Sequence, residues 1–193
     1  MLDFISAKIT SALLGERADA DRLEICTYGV EGALYTLLST AGLLLIGLAA
    51  GLFLPTCVLV TFFYSNQSAG GGYHASTHTS CFVTMASVLL TCILVTHLRL
   101  FGSFTFFLLA MVSGIYLWFR PMHLHANKEY LLCQRERIVR RSRIVVFYSL
   151  LLVMLMYQWN LDCFQMSVLG MIVSAVSRYA AIHISNQSKN NSS

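Results

Sequence analysis

The sequence predicts an all-α, polytopic membrane protein with about six transmembrane or membrane-embedded helices after an N-terminal amphipathic interfacial helix. Of its 193 residues, 56% are hydrophobic and only 11% are charged, and the mean hydropathy is +0.66. A soluble domain carries roughly 25% charged residues, whereas apolar stretches of about 20 residues are long enough to cross a bilayer core. We therefore expect residues 1–184 to form a single integral membrane domain.

Six apolar segments separated by polar or glycine-containing breaks are the candidate spans. They are residues 28–48, 51–64, 81–96, 104–119, 144–159 and 163–184. A tight reversal is predicted between the first two, because Gly and Pro occur between Gly47 and Pro55. The second segment, at roughly 14 residues, is short for a full crossing, so a re-entrant path stays open for it.

The two ends of the chain differ from these segments. Residues 1–27 mix charges with short apolar runs, which favours an interfacial helix over a cleavable signal peptide. Its apolar side chains are Leu2, Phe4, Ile5, Ile9, Leu13 and Leu14. Residues 185–193 are polar and are expected to form a disordered tail. The six cysteines lack the spacing of a disulfide framework or a structural zinc site, so neither is expected.

The distribution of Lys and Arg predicts the orientation in the membrane. Residues 120–143 contain seven of the 13 basic residues, and cytoplasmic loops retain such residues. Two predicted spans separate this basic loop from residues 65–80, so both segments should face the cytoplasm. The simplest role for the basic loop is that of an orientation signal that binds anionic lipid headgroups.

Residues 65–81 form a polar island that contains three consecutive glycines, a histidine and a cysteine. The glycines, of which Gly71 and Gly72 are the candidate substrate contacts, allow another chain to approach the backbone closely. Cys81 opens the third predicted span, where a helix N-terminus favours the thiolate. His74, seven residues earlier, is the candidate general base. This pattern predicts a catalytic His–Cys dyad, against the alternative of a packed cysteine and a solvated histidine.

The rest of a catalytic site is less defined by the sequence. Asn66, Ser76 or Thr77 could orient His74, and none of them is singled out. An oxyanion hole would use backbone N–H groups near Cys81 or in the glycine segment. No cofactor, resident metal or nucleic acid partner is expected.

The stretch Gly-Gly-Tyr-His-Ala-Ser-Thr at residues 71–77, followed by Cys81, resembles the core motif of the accessory gene regulator B family. These are membrane peptidases of Gram-positive bacteria that process quorum-sensing propeptides. The segment Arg-Pro-Met-His-Leu-His-Ala-Asn-Lys at residues 120–128 is similar to a second family segment that ends in Asn-Lys. Two features depart from the family pattern: residues 66–68 lack basic side chains, and His78 is not expected at its position.

The resemblance implies a multi-pass thiol endopeptidase of the bacterial cell membrane. His74 and Cys81 would be catalytic, and the substrate would be an AgrD-like signal propeptide. Its cleavage would pass through a Cys81 thioester, from which a thiolactone or lactone ring can form. Because Lys128 and Arg135 share the predicted cytoplasmic face with His74, we expect them to contact acidic residues of such a propeptide. The resemblance also implies a homodimer, and Gly42 and Gly47 in the first span, with Gly51 just after it, could pair two copies.

Two other functions stay open. A peptide exporter could use the glycine segment as a gate, but transport pathways usually contain ionisable residues within the membrane, and Glu31 is the main such residue we identify. A zinc or copper site could instead be built from His74, His78, His123 and His125.

Overall fold

The computed structural model describes residues 2–14, 20–73, 77–121 and 132–190. Over these ranges the chain forms seven helices and no strands, as the predicted all-α class requires. The helices are α1 (Leu2–Leu14), α2 (Ala20–Ala49), α3 (Phe53–Gly70), α4 (His78–His97), α5 (Ser103–Phe119), α6 (Leu132–Trp159) and α7 (Leu161–Asn190).

Three of these helices contain stretches long and apolar enough to cross a membrane, namely Leu23–Ala49, Thr79–His97 and Leu161–Ile184. Helix α5 is a shorter apolar helix. Polar residues at the end of α3 and an arginine-rich start of α6 lower the hydropathy of these two helices. Length and composition therefore support a membrane protein, and the count of six spans stays a prediction.

The described chain divides into two compact units, residues 1–45 and 46–193. The first unit contains α1 and most of α2. Within α1, the buried Thr10 hydroxyl donates to the Ser6 carbonyl at 2.8 Å, so a polar side chain is satisfied inside its own helix. The single domain predicted for residues 1–184 stays a prediction.

Helix α7 is the central helix of the second unit, where it packs most extensively on α3 and also on α5 and α6. Its buried Phe164, Val168 and Met171 join Phe62 of α3 and Phe106 of α5 in one apolar core. Helix α6 presents a buried stripe to this core at helical spacing: Ser142, Val146, Ser149 and Val153. The arginine-rich start of α6 is therefore continuous with a helix that packs in the bundle.

Small residues let the helices of this unit approach closely. A Cβ atom at Gly170 would lie 2.9 Å from the Leu59 carbonyl oxygen, which explains why α7 needs glycine against α3. Gly47 lies directly against Thr56, and Gly51 adopts a φ of +72° in the turn between α2 and α3. That turn confirms the predicted reversal. Because Gly47 is needed for a contact within the chain and Gly51 for the turn, neither glycine supports pairing of two copies, and the homodimer stays a prediction.

Polar contacts mark the two ends of this bundle. At one end, the Asn160 side chain caps α7 by accepting from the Asp162 and Cys163 amides at 2.9 and 3.0 Å. Arg99 pairs with Asp162 there at 3.0 Å. At the other end, which we call the glycine end, the last residue of α3 lies against Pro121, which follows α5. The polar island and the basic loop therefore begin at the same end of the bundle.

Several predicted boundaries differ from the observed ones because a helix does not stop where its side chains become polar. Helix α3 continues to Gly70 and α4 begins at His78, so the connection replacing the predicted loop 65–80 is much shorter. Helix α6 begins at Leu132, within the predicted loop 120–143. Helix α7 extends to Asn190, into the predicted tail, and α1 and α2 divide the predicted interfacial segment 1–27.

Candidate functional site

A glycine turn follows α3 at the glycine end of the bundle. Gly71 adopts a φ of +74°, a left-handed conformation that favours glycine, and its N–H donates to the Gln67 carbonyl at 2.7 Å. Gly72 is buried against the Gln67 side-chain amide, which occupies the place a Cβ atom would need. The close neighbours of these glycines thus come from the chain itself, and their contact with substrate stays a prediction.

Cys81 lies in the first turn of α4, which agrees with its predicted position near the start of a helix. Thr77 is the N-cap, with extended backbone, and its hydroxyl accepts from the Ser80 amide at 3.2 Å. Cys81 is half-buried and its thiol is free. Its own N–H donates to the Thr77 carbonyl at 3.1 Å, so Cys81 closes the first turn rather than opening the helix as predicted.

The candidate base is outside the described residues, as are several other predicted residues. They are His74, Ser76, His123, His125 and Lys128, together with the side chain of His78. The dyad and the imidazole metal site therefore stay predictions. Among the described residues, no group of three or more His, Cys, Asp or Glu side chains could hold a metal ion.

The remaining candidates for orienting His74 have other partners. The Asn66 side-chain amide is buried and donates to the Phe62 carbonyl at 2.9 Å and to the Ser149 hydroxyl at 3.2 Å. The Thr77 hydroxyl is used in capping α4. Neither contact points to a role as a third catalytic residue.

Sequence reasoning missed Arg178, which is fully buried in α7 at the glycine end. Its guanidinium donates to the Asn66 carbonyl at 3.0 Å and to the Arg120 carbonyl at 2.9 Å. The sequence did contain a signal for it, because Arg178 is a charged residue inside the predicted span 163–184. Glu31 is therefore not the main charged residue within the predicted spans. Because Arg178 has no exposed surface and binds backbone carbonyls, it does not favour an open transport pathway.

Ser177, the preceding residue of α7, contacts the glycine turn. The Tyr73 N–H donates to the Ser177 carbonyl at 3.2 Å and to its hydroxyl at 3.1 Å. The Gln67 side-chain amide donates to the same hydroxyl at 2.9 Å. Tyr73 directly precedes His74, so α7 holds the backbone next to the candidate base.

Arg135 lies on the exposed face of α6, in an open groove of about 850 Å³. The groove combines three arginines and Glu136 with apolar and aromatic side chains, and its lining is Trp118, Arg135, Glu136, Val139, Arg140, Arg143, Ile144, Phe147 and Tyr148. The Arg143 guanidinium lies 5.6 Å from the centre of the Trp118 ring, a cation–π distance. This surface is suited to an anionic group attached to an apolar chain.

The fold and these contacts define a helical membrane protein with a network of buried polar side chains, a glycine turn and a free cysteine at one end of its bundle. The chain belongs to the accessory gene regulator B family, whose model matches residues 5–178. No curated protein and no solved structure matches the chain.

Proposed function

We propose that the protein is a membrane cysteine endopeptidase that cleaves a quorum-sensing signal propeptide on the C-terminal side of its signal segment. Family membership supports a role in propeptide processing. The observation that carries the proposal is the position of Cys81, a free, half-buried thiol in the first turn of α4. The connection before that turn contains His74 and is anchored to α7 through Tyr73.

The proposed reaction needs only these two side chains and the peptide. His74 accepts the Cys81 proton as the sulfur attacks the scissile carbonyl, and it returns that proton to the departing amine. The C–N bond breaks and a peptidyl thioester remains on Cys81. A thiol or hydroxyl of the same peptide then attacks the thioester, forms the ring and returns a proton to the Cys81 sulfur. Exchange between two thioesters keeps the acyl group activated, provided that water is excluded.

The proposed site faces the cytoplasm, in a multi-pass protein of the bacterial cell membrane. The excess of Lys and Arg in residues 120–143 supports this side. The contact between Gly70 and Pro121 supports one common side for the basic and glycine segments.

Thiol labelling in intact cells tests this orientation. Single cysteines at Ser68, which is exposed near the end of α3, and at Lys128 are expected to resist a membrane-impermeant maleimide added from outside. Both should react after the membrane is permeabilised, which controls for buried positions. Reaction of either cysteine in intact cells would contradict the orientation.

We further propose that the groove beside Arg135 binds acidic residues of the propeptide, with Lys128 contributing from the segment that precedes α6. Hydrogen bonds between charged partners contribute about 1.5 to 3 kcal/mol when partly desolvated. The apolar and aromatic side chains that line the same groove would accept the hydrophobic side of the same peptide. An anionic lipid also combines a negative charge with an apolar chain and could occupy the same groove. The test must therefore compare propeptides with and without acidic residues.

The substitution Arg135→Ala is expected to raise the half-saturating propeptide concentration about tenfold, with little change in maximal rate. The matched control is Arg137→Ala, which removes an equal charge from the exposed surface of α6 outside the groove. Lys128→Ala should act in the same direction as Arg135→Ala. Equal behaviour of the Arg135 and Arg137 variants would assign the groove to lipid instead, as would an Arg135 effect that persists with a propeptide lacking acidic residues.

A further inference from the structure

Arg178 is a buried cation whose partners, among the described residues, are backbone carbonyls and a hydroxyl rather than a carboxylate. Its two short hydrogen bonds reach the Asn66 carbonyl at 3.0 Å and the Arg120 carbonyl at 2.9 Å. Longer contacts reach the Ser142 hydroxyl at 3.4 Å and the Leu117 carbonyl at 3.5 Å. Burial of a charge is costly unless it is well hydrogen-bonded, so these partners must stay in place around it.

These partners lie where two helices end. The carboxyl end of a helix carries partial negative charge, which stabilises a cation there. Asn66 lies close to the end of α3, and Arg120 caps the end of α5. One guanidinium therefore ties together the helix that leads into the glycine turn and the helix that leads into the basic segment.

Gly70 makes this arrangement sterically feasible. A Cβ atom there would collide with the Arg178 guanidinium and would lie 2.6 Å from the Pro121 carbonyl oxygen. The end of α3, the residue after α5 and the guanidinium thus meet without space for another atom. Ser177 adds a second attachment, since it accepts from both Tyr73 and Gln67.

We infer that Ser177 and Arg178 are positioning residues that hold the segment carrying His74 in register with Cys81. The inference rests on the proposed function. Neither residue needs to touch the substrate, because each acts through the backbone on either side of the glycine turn. A displacement of a catalytic group by about 1 Å can lower a rate by roughly 10²-fold. The effect should therefore fall on turnover rather than on substrate binding.

Arg178→Lys is the most informative variant, because it keeps the charge and loses the planar group that reaches the Asn66 and Arg120 carbonyls together. We expect its maximal processing rate to fall by about 10²-fold with little change in half-saturation. Ser177→Ala should lower the rate about tenfold. Ser177→Thr, which keeps the hydroxyl, should recover most of that loss. Asp162→Asn is the control: it breaks the exposed pair with Arg99 at the far end of the same helix and should leave the rate unchanged.

A second readout separates positioning from general destabilisation. In a protein whose single cysteine is Cys81, the rate of alkylation by iodoacetamide is measured against pH. The His74→Ala profile defines a thiol without its base, and the Arg178→Lys and Ser177→Ala profiles should move toward it. Hydrogen exchange at residues 66–81 should rise in both variants, while peptides from the opposite end of the bundle, near Asn160, keep their protection.

The outcomes distinguish the two levels of the proposal. If Cys81→Ala still processes propeptide, or His74→Ala leaves the alkylation profile unchanged, the dyad is wrong, and raised exchange at residues 66–81 would still support the structural attachment. If the dyad variants behave as expected but Arg178→Lys and Ser177→Ala keep wild-type turnover and profiles, the positioning role is wrong. Equal loss of protection throughout the bundle would also overturn it, in favour of a purely structural role.

Discussion

Cys81→Ala is expected to lower propeptide processing below detection, a loss of at least about 10⁴-fold, as for removal of the nucleophile in other hydrolases. The proposed reaction forms its thioester on this sulfur, and alanine provides no acceptor for the acyl group. The packing change is small because Cys81 is only half-buried in the first turn of α4. The measurement is cleavage of propeptide by purified protein in lipid nanodiscs, with mass spectrometry to detect the acyl-enzyme.

Matched variants separate catalysis from folding. Cys57→Ala changes another free, half-buried cysteine and should process propeptide at close to the wild-type rate. His74→Ala should lower the rate by about 10²- to 10⁴-fold, the usual contribution of a general base. Normal cleavage by Cys81→Ala, or an acyl-enzyme that still forms in its absence, would rule out the thiol mechanism.

The sequence predicted the helical segments because apolar length determines which parts of this chain are helical. Five of the six proposed segments lie entirely within an observed helix, and the second begins later, at Phe53. The helix ends were predicted less well. A helix satisfies its backbone hydrogen bonds whatever its side chains are, so α3 and α7 continue through polar residues that ended the predicted spans. Hydropathy locates the membrane-facing part of a helix and not its termini.

The helix start beside Cys81 was predicted from a local signal, the His–Cys dyad stays a prediction, and Arg178, whose contacts are distant in sequence, was missed. The spacing of His74 and Cys81, with glycines before them, can be read from a short stretch, and α4 does begin at His78. Arg178 joins α3, α5 and α6, and its two shortest hydrogen bonds go to backbone carbonyls, which cannot be recognised from residue types; its third partner is the Ser142 hydroxyl. Averaging over an apolar window also hides a single charge, so Arg178 did not interrupt its predicted span.

Gly70→Ala is expected to lower processing by about 10²-fold and to destabilise the protein by about 1 to 3 kcal/mol, the usual cost of overpacking. The added Cβ atom would collide with the Arg178 guanidinium and lie 2.6 Å from the Pro121 carbonyl oxygen. A side chain can rotate away, but a backbone carbonyl moves only with the segment that follows α5. The end of α3 must therefore shift, and the glycine turn with it.

The control for Gly70→Ala is Gly32→Ala in α2, a helical glycine with open space around its Cβ position. That change should leave processing intact and, if anything, raise stability by up to about 1 kcal/mol, because alanine favours helices more than glycine does. Thermal unfolding in detergent and processing in nanodiscs measure the two effects separately. Combining Gly70→Ala with Arg178→Ala should not restore activity, because the Pro121 carbonyl still blocks the new atom and the guanidinium that positions the glycine turn is lost. Recovery in the double variant would contradict the positioning role of Arg178, and wild-type behaviour of Gly70→Ala would contradict the close contact itself.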